Sequence, residues 1–276
     1  MNRRKNIVLD PEKAFHLITA ADLTRTLLTQ FEFRIVSFFD KKPIAAPDSP
    51  ERTKAGGPFE NPAPEEVIAN VGSSHRLLVN KYCAYRPMLV LPSVKYAPQT
   101  DDLDGSDIAA AWAVLKAFRT PHIVIHNCGA NSGSSQGHKH LQLFPLANST
   151  GPGLFPARAT SSQHIENTIS NVPFKHFVLR ITADATARDV FDKYQRLLIE
   201  TRQALEAARA GHDYNVIFTA DWIALIPRRT AVWGGPFGAN AAGMLGMVTV
   251  SSKQQRHQWA ELGDTEYLAR LGIPRD

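Results

Sequence analysis

His126-Asn127-Cys128-Gly129-Ala130-Asn131-Ser132-Gly133-Ser134-Ser135-Gln136-Gly137-His138-Lys139-His140-Leu141-Gln142 is the stretch on which the reading of this chain turns. Residues 129–137 are small, polar and glycine-containing, a loop able to turn its backbone N–H groups toward an anion. The loop runs into His138-Lys139-His140-Leu141-Gln142. A strand has a side-chain period of two, so His138, His140 and Gln142 project from one face and Lys139, Leu141 and Leu143 from the other. Two imidazoles and an amide beside a phosphate-cradling loop point to phosphorus chemistry. A His-x-His pair alone is more often structural, or a surface metal ligand. The loop shifts that balance, because its turn residues have no hydrophobic reason to be there.

Working outward, residues 122–126 alternate too little to define one face and read as a central, buried strand. Residues 104–118 read as a helix with Ile108, Ala111, Trp112 and Leu115 on its inner face. Residues 75–80 and 86–94 read as two strands. Asp10-Pro11 opens a predicted amphipathic helix to about Gln30, residues 31–39 alternate, and residues 42–64 form a long surface loop. Downstream, the Pro/Gly-punctuated residues 148–163 mark a boundary, and residues 174–181 are strand-like. Thr186 with Asp189 resembles a capping box. It opens a helix whose stripe is Val190, Tyr194, Leu197, Leu198, Thr201, Leu205 and Ala208. A hairpin over residues 214–218 and 222–227, a glycine-rich segment, a strand near residues 247–250 and one final helix over residues 254–271 complete the chain. The expected fold class is α+β, a mainly antiparallel sheet with helices packed on it. Its expected parts are residues 1–160, with the His-x-His-x-Gln strand, and residues 161–276, together one compact unit.

Composition narrows the partners. The 276 residues suffice for a full core. A formal charge of +5 and a pI near 9.2 suit anionic ligands. Lysine/arginine runs no longer than Arg3-Arg4-Lys5 argue against nucleic acid. Cys83 and Cys128 make neither a disulfide framework nor a zinc cage, so no fixed protein metal is expected. No apolar run approaches the roughly 20 residues of a membrane span, and the basic N-terminus lacks a secretory core. The expectation is a soluble intracellular protein, cytoplasmic or also nuclear.

His138-Lys139-His140-Leu141-Gln142 after Asn131-Ser132-Gly133-Ser134-Ser135-Gln136 resembles the signature of the diadenosine tetraphosphate phosphorylases (ATP adenylyltransferases). These are a branch of the histidine-triad superfamily, near galactose-1-phosphate uridylyltransferase. The resemblance is sharpest over residues 120–145 and looser from Lys54 to Val250. It implies a histidine-triad-like fold, and a nucleotidyltransferase that splits diadenosine tetraphosphate with phosphate into ADP and ATP, reversibly. It also implies that His140 is the nucleophile, that backbone near His138 holds its tautomer, and that Gln142 donates to a phosphoryl oxygen. Glutamine at that position typifies transferases, whereas a third histidine typifies hydrolases. Gly133, Ser134, Ser135 and Gln136 would contact phosphates. Lys54, Asn80, Lys81, Asn127, Asn240, Ala241, Ala242 and Met247 match nucleotide-contacting positions. Without that match, Lys54 reads as a solvated lysine, Asn80-Lys81 as a strand end, and residues 240–247 as a Gly/Ala loop before a buried Met. The family's lysine beyond the methionine has Lys253 as its nearest counterpart, in an uncertain register. Magnesium or another divalent cation would come bound to the polyphosphate, and a monomer is implied. The alternatives are a dinucleoside polyphosphate hydrolase, a hexose-1-phosphate uridylyltransferase-like enzyme, or a nucleotide-binding protein without turnover.

Overall fold

The computed structural model describes residues 31–36, 52, 57–146, 153–234 and 237–275. Its strands and helices, in chain order, are β1 (Glu32–Ile35), β2 (Val67–Val71), β3 (His75–Val79), β4 (Leu89–Pro92), α1 (Gly105–Ala117), β5 (His122–Cys128), β6 (His140–Pro145), β7 (Phe177–Arg180), α2 (Ala187–Ala207), β8 (Tyr214–Phe218), β9 (Trp222–Pro227), α3 (Ala241–Met244), β10 (Met247–Val250), α4 (Lys253–Glu261) and α5 (Asp264–Leu271). Eight strands form one sheet in the order β2-β3-β4-β6-β5-β8-β9-β7. Every neighbouring pair in it is antiparallel. β1 and β10 pair in parallel beside it. The expected α+β class with helices on an antiparallel sheet is the observed one. The two expected parts share this sheet, since β5 pairs along its length with β8.

Parity along the central strands sorts the core into two layers. Val124, Cys128, Leu141 and Leu143 pack beneath α1 and α2, with Ile108, Ala111, Leu115, Val190, Tyr194 and Leu197. Ile123, Ile125 and Phe144 face the other way, toward β10, α3 and α5. All seven residues of β5 are buried, as its near-continuous apolar run requires of a strand covered on both faces. α1 and α2 start where their caps dictate: Asp104 with Asp107, and Thr186 with Asp189, form reciprocal capping boxes.

Several expectations need correction. The single terminal helix over residues 254–271 is two, α4 and α5, broken at Gly263, whose φ of +74° no helical residue adopts. Regular pairing in β6 begins at His140, while His138 makes only an isolated bridge to Pro98. The strand expected over residues 86–94 narrows to Leu89–Pro92, and that over residues 174–181 to Phe177–Arg180. β2 was not anticipated, nor was α3 inside the glycine-rich segment. The helix expected from Asp10 to Gln30 lies outside the described residues, as does Lys54.

Candidate active site

β5 and β6 are adjacent antiparallel strands, and the loop of residues 129–139 joins them. A loop tied to the ends of two central strands is held where its backbone can meet a ligand repeatedly in one geometry. Gly129 and Gly133 have φ of +84° and +90°, which glycine adopts without strain. A Cβ on Gly133 would stand 2.7 Å from the Asn240 Cα, so the loop also needs glycine to lie against that segment.

His140 sits at the start of β6, 3% exposed, on the face shared with Gln142. Its Nδ1–H donates to the His138 carbonyl at 2.8 Å. That bond puts the ring proton on Nδ1 and leaves Nε2 as the basic nitrogen. The Gln142 Nε2 lies 3.5 Å from the His140 Nε2. Both side chains line a cavity of about 280 Å³, with Asn80, Lys81, Ser135 and Gln136. Phe59 covers one side, its ring 4.9 Å from the His140 ring. At the rim, Lys81 pairs with Glu66 at 2.5 Å. A smaller space of about 30 Å³ adjoins, lined by Asn80, Tyr82, Gln142, Asn240 and Ala242 among others. A basic imidazole nitrogen, an amide beside it and the loop residues Ser135 and Gln136 around one cavity form a set that can attack and hold a phosphoryl group.

Most of the other candidate residues stand behind this wall, Asn240 and Ala242 reaching the smaller space. The His138 ring donates from Nε2 to the Ser93 carbonyl at 2.8 Å, and burial holds it below the usual histidine pKa. Ser134 is held by Arg52, whose guanidinium donates to its Oγ at 3.0 Å and its carbonyl at 2.7 Å. The Asn127 Oδ1 accepts from Asn215 Nδ2 at 2.8 Å and from the Ala241 N–H at 2.9 Å, joining β5 to β8 and to the start of α3. Asn240 caps α3 through the Gly243 N–H at 3.2 Å. Met247 is buried in the core at the head of β10 and lines neither cavity. Lys139 points to the opposite layer, as strand parity requires. There its Nζ meets Asp107 at 2.7 Å.

Three residues that carry the site have no local signal in the sequence. Phe59 lies in a long loop without periodicity. Arg52 stands in a segment without periodicity, far in sequence from the loop it braces. Arg228 is fully buried and donates to Ser132 O, Asn215 Oδ1, Thr230 O, Ala239 O and Leu271 O. Burial pushes its guanidinium down to about 9, with Asp213 opposing that shift. It binds the loop, β8 and the C-terminal helices into one body. Among the described residues, no group of three or more His, Cys, Asp or Glu could hold a metal ion. Nor is any described helix long and apolar enough to cross a membrane.

The family model for the Ap4A phosphorylase N-terminal domain matches residues 10–160, and that for the ATP adenylyltransferase C-terminal domain matches residues 170–274. The chain is 28% identical over 238 residues to diadenosine 5',5'''-P1,P4-tetraphosphate phosphorylase 2 of Saccharomyces cerevisiae, covering 76% of this chain and 73% of that one. It is 27% identical over 260 residues to Protein APA1 of the same yeast, covering 84% and 80%. The crystal structure of yeast Ap4A phosphorylase Apa2 in complex with AMP superposes with a TM-score of 0.73 at 25% identity, over 90% of this chain and 85% of that one. Since the first model alone spans more than half of the sequence and the second most of the remainder, the chain belongs to the Ap4A phosphorylase (ATP adenylyltransferase) family.

Proposed function

We propose that the chain is a nucleotidyltransferase that phosphorolyses diadenosine tetraphosphate to ADP and ATP through an adenylyl-histidine. The observation that carries this reading is the His140 ring, with Nδ1–H given to the His138 carbonyl at 2.8 Å and Nε2 beside Gln142 on the cavity. The His140 Nε2 attacks the α-phosphorus, an Nε2–P bond forms, and the P–O bond to the departing ATP breaks. Phosphate then attacks the same phosphorus, the N–P bond breaks, and ADP leaves. The reverse sequence joins ATP and ADP. A neutral imidazole makes the first attack without setting one polyanion against another, and the covalent step divides one displacement into two.

Gln142 donates to a phosphoryl oxygen without titrating near neutral pH. Ser135, Gln136, Asn80 and Lys81 surround the polyphosphate and nucleoside from the cavity walls. Gly133, Ser134, Asn127, Asn240, Ala241 and Ala242 complete or support the nucleotide site, while Met247, in the core, and Lys54, outside the described residues, have that role from the family resemblance. A divalent cation such as magnesium arrives with the polyphosphate as part of the substrate. The yeast relative has been crystallised with AMP and with Ap4A, which supports nucleotides as the ligands.

The decisive test uses dinucleotide labelled in adenosine. Without phosphate, the purified chain retains label on protein and His140→Asn does not. Adding phosphate releases the label as ADP. Labelled AMP produced in phosphate-free buffer, or label persisting on His140→Asn, overturns the reading.

A further inference from the structure

The β5–β6 ladder stops at Ile125 opposite Gln142. Continued by two residues, it would set Asn127 directly against His140. The side chain of Gln99 lies between them instead. Its Oε1 accepts from the His140 N–H at 2.8 Å, and its Nε2 donates to the Asn127 carbonyl at 2.8 Å. The His140 carbonyl accepts from His126 Nδ1–H at 3.0 Å. Both peptide groups of His140 are therefore held by side chains where a ladder would use backbone.

The main chain of Gln99 is equally committed. Its N–H donates to the Gly137 carbonyl at 2.7 Å, and its carbonyl accepts from the Gly129 N–H at 3.2 Å. These are the two ends of the phosphate loop. Gln99 is 2% exposed and belongs to neither strand. Gly137 lies directly against the Arg52 backbone, where a Cβ would stand 2.1 Å from the Arg52 carbonyl oxygen.

From this convergence we infer that Gln99 is a positioning residue that sets the distance between the phosphate loop and the attacking imidazole. The inference rests on the adenylyl-transfer reading above. In-line attack tolerates little displacement, and a shift of about 1 Å at the reacting atoms costs roughly 100-fold in rate. A glutamine suits the task because it offers an acceptor to one strand and a donor to the other. Leucine of similar size offers neither. Glutamate reproduces the pair only when protonated, with its C=O accepting from His140 and its O–H donating to Asn127.

The experiment measures single-turnover formation of labelled adenylyl-enzyme in wild type, Gln99→Leu and Gln99→Glu, together with KM and thermal midpoint. Thr201→Val serves as control, since Thr201 is a buried hydroxyl donating to Leu197 O within α2, outside the site. Gln99→Leu is expected to lose about 10- to 100-fold in label formation with KM within about three-fold. Thr201→Val is expected to lower the midpoint with the rate unchanged. The ratio of Gln99→Glu to wild type rises as pH falls, a change that a merely structural role would not produce. A Gln99→Leu rate within three-fold of wild type, or a flat Gln99→Glu ratio, overturns the inference. If Gln99→Leu does not fold, the Gln99→Glu ratio decides. Wild type that takes up no label refutes the proposed function itself, and this inference with it, before any variant is compared.

Discussion

The two faces of β6 carry two polar groups built on opposite plans. On the helix side, Asp107 accepts from the Asp104 N–H at 2.9 Å, His75 Nε2 at 2.9 Å and Lys139 Nζ at 2.7 Å. All of these partners belong to the protein, and Asp107 and Lys139 are buried. On the other side, the His140 ring has one nitrogen set by backbone and turns the other to a cavity. Lys139 and His140 are neighbours in sequence, and the pleat alone separates a network sealed under the helices from one that lines a cavity. A polar cluster satisfied by its own chain serves the fold. One that presents a basic nitrogen to a cavity is built for a visitor.

Four measurements can break or sharpen this contrast. The largest effect belongs to the closed face. Asp107→Ala leaves the Lys139 ammonium buried without its carboxylate and should cost about 3–5 kcal/mol of unfolding free energy in a urea titration. A loss under about 1 kcal/mol would show that the network is not sealed.

The next effect is a pH dependence from the same layer. Burial drives His126 down to about 4, against the opposing bond to the His140 carbonyl, so the native state keeps the ring neutral. A histidine with its folded pKa below the unfolded value of 6.5 contributes fully above that pH and loses its contribution as pH falls toward 4. The fall is on the order of 3 kcal/mol, and His126→Gln should lack it. Asp107 acts in a lower window. Burial would raise its carboxyl, but the bonds from His75 and Lys139 prevail and bring it to about 2. Its stabilisation is present above pH 4 and disappears as pH falls toward 2. Stability that is flat from pH 7 to pH 4 would contradict the His126 assignment, and stability that is flat from pH 4 to pH 2 that of Asp107.

On the open face the variants should move rate and leave stability nearly untouched. Gln142→Ala is expected to reduce kcat by about 10- to 100-fold, the cost of one donor to a charged oxygen, with a thermal midpoint close to wild type. A large drop in midpoint with kcat preserved would reverse its role. The smallest effect is at the rim. Lys81 is two-thirds exposed and paired with Glu66, so Lys81→Met should raise KM by about two- to five-fold. Kinetics at low and high salt would check this, because the difference should shrink as ions screen the rim.

The legible features were those written locally. The period of two placed His138, His140 and Gln142 on one face and Lys139 on the other. Thr186 announced its helix because an N-cap and its third residue lie within one turn, and the helix from Asp104 showed in its apolar face. The break between α4 and α5 was missed because the apolar pattern continues across it, although Gly263 stood in the sequence as a possible stop. Gln99, Arg52 and Arg228 were missed for a different reason. Each acts on a partner 41, 82 or 96 residues away, through hydrogen bonds with no period and no composition.

From the amino-acid sequence alone came the family resemblance, the antiparallel class and the imidazole to examine, the first and last through the likeness of one motif and the class through the pattern of elements along the chain. Only the tertiary structure decided how that imidazole is held, which neighbours share its cavity and which serve as its scaffold. Those depend on the crossing of distant segments, and a buried amide or guanidinium takes its role from what the fold brings within about 3 Å of it.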